Sequence, residues 1–330
     1  MKALVYIDTL EVQYREEPDP VARPGEALVK VEAVGICGSD MHAYHGQDAR
    51  RVPPLILGHE AVGEVLNGAQ KGRRVVLNPL MTCGVCNHCQ GGRSNLCAER
   101  ELIGMRLAGA FAQYVTIPER NLLAMPQDMD PVIASLAEPA ATSLHAIYLA
   151  EKVLHRPLSE CRALVLGGGS IGAFAALMLK GKGCIDVHLG DTNPLRRHTA
   201  EKLGCCKVYD PLADVLPAEN SFDLVIDAVG SGRTRAASCH FVKAGGVISH
   251  VGLQDNEPGL DTRRITLDEI TFLGNYTYSA VDLRAAIQAL NSGALGPLDW
   301  VETRLLSDGA AAFREIHEGK TAAPKVVLRP

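Results

Sequence analysis

From Ala163 onward the chain alternates short apolar strands with helical stretches, and no other feature narrows its fold as much. Ala163–Leu166, Asp186–Leu189, Asp223–Ile226 and Val247–Val251 read as strands, and Ile171–Lys180 and Leu195–Leu203 as helices. Strands that are apolar at nearly every position cannot leave a face in water, so they belong in a parallel sheet covered by helices.

Gly167, Gly169 and Gly172 satisfy G-x-G-x-x-G between the first of these strands and the helix that follows it. There the first glycine permits a tight turn and the second lets backbone approach a pyrophosphate. The third allows close helix packing, and Ser170 and Ile171 open the helix whose N-terminus faces the phosphates. Asp191 stands at the end of the next strand, where a carboxylate accepts hydrogen bonds from the adenosine ribose and repels a 2′-phosphate. This favours NAD over NADP, a preference softened by Arg196 and Arg197, since an arginine beside the ribose serves either cofactor. Asp191 also reads as a turn or capping aspartate ahead of Asn193-Pro194.

Cys83, Cys86, Cys89 and Cys97 follow the spacing C-x2-C-x2-C-x7-C. Four thiolates so close together suit tetrahedral Zn2+ with no open position, a structural site rather than a catalytic one. A disulfide framework and a dithiol redox centre are the competing readings. The chain begins Met-Lys-Ala-Leu-Val with no basic segment leading into an apolar one, which predicts a cytoplasmic, reducing environment. Cys161, Cys184, Cys205, Cys206 and Cys239 read as free thiols packed in a core.

A length of 330 residues exceeds what one core usually supports and predicts two domains. No apolar run reaches eighteen residues, which excludes a membrane span, and a net charge of −5 offers no basic field for nucleic acid. Before residue 125 the pattern is β-rich: Ala3–Ile7, Ala27–Val31, Ala61–Val65, Arg74–Leu77 and Phe111–Val115 are strand-like runs. Glu138–Leu149 reads as a helix with Pro139 in its first turn. Past Tyr278 come helical stretches at Asp282–Leu290 and Gly309–His317 and a strand at Lys325–Leu328. The plan is a β-rich domain into which a doubly wound domain is inserted.

Val34-Gly-Ile-Cys-Gly-Ser-Asp40 and Gly58-His-Glu60, taken with the cysteine lobe and the glycine loop in this order, resemble the zinc-dependent medium-chain alcohol and polyol dehydrogenases over nearly the whole chain. The resemblance implies a GroES-like catalytic domain at 1–145 and 281–330, and a Rossmann NAD-binding domain at 146–280. It implies two zinc ions per chain, NAD, a small alcohol substrate and a homodimer or homotetramer. Cys37 and His59 match ligands of the catalytic zinc. Glu138 matches the polyol-type third ligand, which contacts the metal directly or through water, and Glu60 the glutamate behind the metal that enters its coordination during exchange. Each residue taken singly reads otherwise: Cys37 as a small buried hydrophobe, His59 as a satisfied histidine, Glu138 as a helix N-terminal acid.

By the same resemblance Ser39 hydrogen-bonds the substrate oxygen, His42 passes the proton to solvent and Asp40 orients His59 from behind. Ser39 and Asp40 also suit simple turn chemistry, and no family role maps to His45. Tyr44, Arg106, Thr277 and Tyr278 are the candidate substrate contacts. Thr277 stands where sorbitol-type enzymes carry arginine, and Arg106 reads either as a partner for an anionic group or as a solvated loop residue. The implied activity is oxidation of a secondary alcohol of a polyol or other small hydroxylated substrate. Threonine dehydrogenase-like oxidation and a non-catalytic nucleotide-sensing role are the alternatives.

Overall fold

The computed structural model describes residues 1–330. Six parallel strands form one sheet in the spatial order Lys207–Tyr209, Asp186–Gly190, Arg162–Leu166, Phe222–Asp227, Val242–His250 and Thr271–Gly274. The chain starts at Arg162–Leu166, builds outward on one side, then crosses back to add Phe222–Asp227 on the other. That reversal opens a crevice beyond the carboxyl ends of the two central strands, where such sheets take their ligands.

The second large sheet has seven strands. Leu122–Ala124, Arg74–Leu77, Glu60–Val65, Glu26–Gly35, Lys325–Arg329 and Val301–Leu305 run in that order, with Tyr114–Pro118 also paired to Glu26–Gly35. The last two strands in sequence therefore return to the β-rich half, Val327 and Leu328 pairing with Gly35 and Val34. A three-stranded sheet of Lys2–Asp8, Glu11–Glu16 and Leu55–Ile56 closes its flank.

Helices Ala137–Glu151 and Ser170–Gly181 pack against each other, and the core they share is rich in small buried residues, among them Ala140, Ala141, Ala173 and Ala176. The core they share with helix Ala280–Asn291 and the parallel sheet extends to Ala33, Val62 and Val327 of the β-rich sheet. One continuous core thus sets the two halves against each other and fixes the cleft between them.

Among the strands that escape the sequence pattern, three in the carboxyl-terminal half do so for identifiable reasons. Lys207–Tyr209 and Thr271–Gly274 are short edge strands, and Val301–Leu305 carries Glu302 and Arg304 in place of an apolar run. The expected strand Phe111–Val115 begins instead at Tyr114. Phe111 is fully buried, and its backbone bonds Leu57 and Leu4 outside any ladder. No helix is long and apolar enough to cross a membrane.

Candidate active site and metal centres

The four cysteines of the lobe converge without forming disulfides. Sulfur–sulfur distances are 3.5 Å for Cys86–Cys89, 3.6 Å for Cys97–Cys83 and 3.9 Å for Cys83–Cys89. A zinc–sulfur bond of about 2.3 Å gives a tetrahedron with edges of about 3.8 Å, so the cage fits that ion. Backbone N–H groups of Val85 and Cys86 point at Cys83 and lower its thiol to about 6, which favours the ligating thiolate.

The second cluster is built where three local structures meet. Cys37 caps the helix Gly38–Tyr44, and Asp40 Oδ2 accepts from the Cys37 N–H at 2.9 Å. Gly58, at φ +91°, turns the chain into His59 and the strand Glu60–Val65; a Cβ there would also strike the Phe111 ring. Ligand atoms of Cys37, His59 and Glu60 all lie within 4.8 Å of one another. Sulfur, imidazole nitrogen and carboxylate oxygen form a donor set that zinc accepts in open sites.

Glu138 is not one of this trio. Its carboxylate faces His59 and Glu60 from the first turn of helix Ala137–Glu151, with the Tyr278 hydroxyl against it, and burial pushes it above the usual carboxylate range. Asp40 is wholly buried, and its Oδ1 lies 3.6 Å from His59 Nδ1, longer than a hydrogen bond. Nδ1 of His59 has no partner. Burial opposes a proton on that ring, but Asp40 and Cys37 outweigh it and raise His59 well above its usual value. The surroundings are arranged to hold positive charge.

Cys37, Ser39, His59 and Glu138 line a pocket of ≈ 340 Å³, which also reaches Ser170 and Ile171 of the glycine loop. It adjoins a cleft of ≈ 470 Å³ lined by Gly167, Gly169, Gly172, Asp191 and Arg196, with Cys37 and His42 common to both. Gly167 adopts φ +100°, closed to most side chains, and begins the turn into helix Ser170–Gly181. Asp191 serves the turn and the cleft together: Oδ2 accepts from Gly168 N at 2.6 Å and Oδ1 from Asn193 N at 2.7 Å. Arg197 is tied down by Asp210 and by the carbonyls of Asp191 and Thr192, leaving Arg196 as the cleft arginine. Burial, then the charge of Arg51, lower His42, so its ring is neutral at neutral pH.

Of the four expected substrate contacts, three lie off the pocket wall. Tyr44 is a core residue, its ring 5.4 Å from that of Phe313, because it stands two positions from His42 on a helix and faces away. Arg106 is exposed and pairs with Glu101 at 3.4 Å outside the pocket. Thr277 lines the pocket, whereas Tyr278 lies buried behind Glu138.

Sequence reasoning missed Asn275. Its side chain reaches the pocket and is 8% exposed, yet neither amide atom has a partner, and the nearby Thr277 Oγ1 is likewise unpaired. An amide just past the end of the strand Thr271–Gly274 is the signal that could have found it. The cysteine lobe braces this wall. Asn95 Nδ2 donates to Tyr276 O at 2.8 Å, and the Arg100 guanidinium sits 4.7 Å from the Tyr276 ring centre.

Residues 23–127 match the alcohol dehydrogenase GroES-like domain, and residues 170–292 the zinc-binding dehydrogenase domain. An L-galactonate-5-dehydrogenase of Escherichia coli K12 is 30% identical over 310 residues, 89% of this chain and 88% of its own length. An L-threonine 3-dehydrogenase of Xanthomonas campestris pv. campestris B100 is 31% identical over 99% of both chains. A zinc-binding dehydrogenase from Sinorhizobium meliloti 1021, solved with NADP, superposes with TM-score 0.85 at 30% identity, covering 100% of this chain and 99% of its own. With its glycine loop, closed cysteine cage and open Cys37–His59 cluster in one framework, the chain belongs to the zinc-dependent medium-chain alcohol and polyol dehydrogenases.

Proposed function

We propose that the chain oxidises a secondary alcohol of a polyol or sugar-derived substrate with NAD, using one closed and one open zinc site. The observation that carries this reading is the cluster of Cys37, His59 and Glu60 ligand atoms, of which Cys37 and His59, with Glu138, line a pocket that adjoins the glycine loop. Zinc held there, with Glu138 or Glu60 as the carboxylate ligand, supplies the Lewis acidity that makes a substrate hydroxyl acidic. Bound NAD supplies the hydride acceptor. Ser39 takes the substrate proton as its own passes on toward His42, whose neutral ring receives it at the boundary of pocket and cleft.

Preference for a polyhydric substrate rests on Asn275 and Thr277. Unpaired buried polar groups are unfavourable by about 1–3 kcal/mol each, and hydroxyls beyond the reacting one would satisfy them. Discrimination against NADP rests on Asp191, and replacing it with glycine should lower the ratio of kcat/KM for NAD to that for NADP. The exposed edge of strand Thr271–Gly274 is where a second copy would extend the parallel sheet.

The test is an NAD-reduction assay on polyols, sugar acids and amino alcohols, run beside metal analysis. Turnover of a polyol by protein holding two zinc ions per chain supports the reading. Turnover of amino alcohols alone would move it to a threonine dehydrogenase-like activity, and no turnover by fully metallated protein would remove it.

A further inference from the structure

Arg51 is 2% exposed and lies directly behind Ser39. Its Nε donates to Gly104 O at 2.9 Å, Nη1 to Asp48 Oδ2 at 2.6 Å and Nη2 to Ser39 Oγ at 3.1 Å. A buried guanidinium is tolerated only when paired. Asp48 provides that pairing, and although burial works against its charge, Arg50 and Arg51 hold it at about 2. The carboxylate therefore stays paired with the Arg51 guanidinium.

A guanidinium can only donate, so the Ser39 oxygen must accept from it. A serine hydroxyl otherwise turns freely among its rotors. With one lone pair committed to Arg51, the proton and the other lone pair of Ser39 are left for the pocket that the serine lines. Arg51 itself is not part of the pocket wall, so it reaches the chemistry only through its neighbours.

We propose that Arg51 is a positioning residue for the alcohol oxidation: it fixes the Ser39 hydroxyl in the orientation that takes the substrate proton and keeps a positive charge behind the oxygen where negative charge develops. The inference rests on the reading of Ser39 as first proton acceptor. The same charge acts on His42, which also feels Arg50, Asp48, Asp40 and the His45 ring.

The test is a double-mutant cycle of Arg51→Met and Ser39→Ala in the otherwise native chain, in which Arg50 still pairs with the Asp48 carboxylate. Where Ser39 is present, Arg51→Met should lower kcat/KM by about tenfold to a hundredfold, part of the range for positioned proton transfer. Where Ser39 is already alanine, the further loss should stay below about twofold, as expected for coupled residues. Equal losses in both backgrounds would make Arg51 merely structural and overturn the proposal. If Ser39→Ala alone leaves turnover intact, the relay reading fails first, a separate result.

A second readout needs neither metal nor coenzyme. In an NMR titration of the metal-free protein, Arg51→Met should move His42 upward, and an unmoved His42 would overturn the electrostatic half of the proposal. Arg51→Lys, measured in the same way, covers the case in which the methionine variant does not fold. It should keep the His42 titration and still lose rate, since an ammonium lacks the planar fork; undiminished kcat/KM would overturn the positioning half.

Discussion

Lys325 Nζ lies 2.6 and 2.7 Å from the two carboxylate oxygens of Glu60 and donates to Ile36 O at 2.8 Å, all out of reach of water. Burial works against the ammonium, but Glu60 outweighs it and raises Lys325 above its ordinary value. The strand Lys325–Arg329 thereby holds the acidic member of the open metal cluster in place. Lys325→Met would strand a buried carboxylate, a change worth about 3–5 kcal/mol. Urea unfolding should show that loss, and a change below about 1 kcal/mol would mean the pair is replaceable.

Asn275→Leu removes two unpaired polar atoms from a buried position, so stability should hold or rise. If a substrate hydroxyl pairs with that amide, kcat/KM should fall about tenfold for polyols and stay level for a monohydric secondary alcohol, because only the polyol loses a contact. Equal effects on both substrates would reassign Asn275 to shaping the pocket.

What was legible in the sequence was local. The cysteine lobe and the glycine loop are legible because their ligand atoms and backbone N–H groups each come from one short stretch of chain. Asn275 carries no such mark, and Lys325 reaches Glu60 across 265 residues through strand pairing that no short motif encodes. Tyr44, named among the candidate substrate contacts, lies instead in the core, because two positions from His42 helical periodicity turns it to the other face.

His42 should leave a signature in the pH dependence of stability. Its value is lowered by burial and by Arg51, so below the ordinary histidine value of about 6.5 the unfolded chain takes a proton that the folded one refuses. Stability should therefore fall as pH drops from about 6.5 toward the lower folded value. His42→Gln removes that contribution, and its unfolding midpoint should decline less between pH 7.5 and 5.5 than that of the native chain. Its turnover should be hurt most near neutral pH and partly restored by added imidazole. Parallel declines in stability would mean that His42 titrates normally.

The two metal sites should separate cleanly by mutation. Cys37→Ser removes a ligand from the open cluster and leaves the cysteine cage and glycine loop intact, so turnover should vanish while NAD affinity and one zinc per chain remain. Cys89→Ser opens the closed cage instead. There the loss travels through Asn95 and Arg100, which hold Tyr276 on the pocket wall. KM should rise several-fold with kcat less affected, and thermal stability should fall, because structural zinc contributes folding energy outright. If Cys89→Ser lowered kcat as severely as Cys37→Ser, the lobe would belong to the chemistry itself rather than to the wall that faces it.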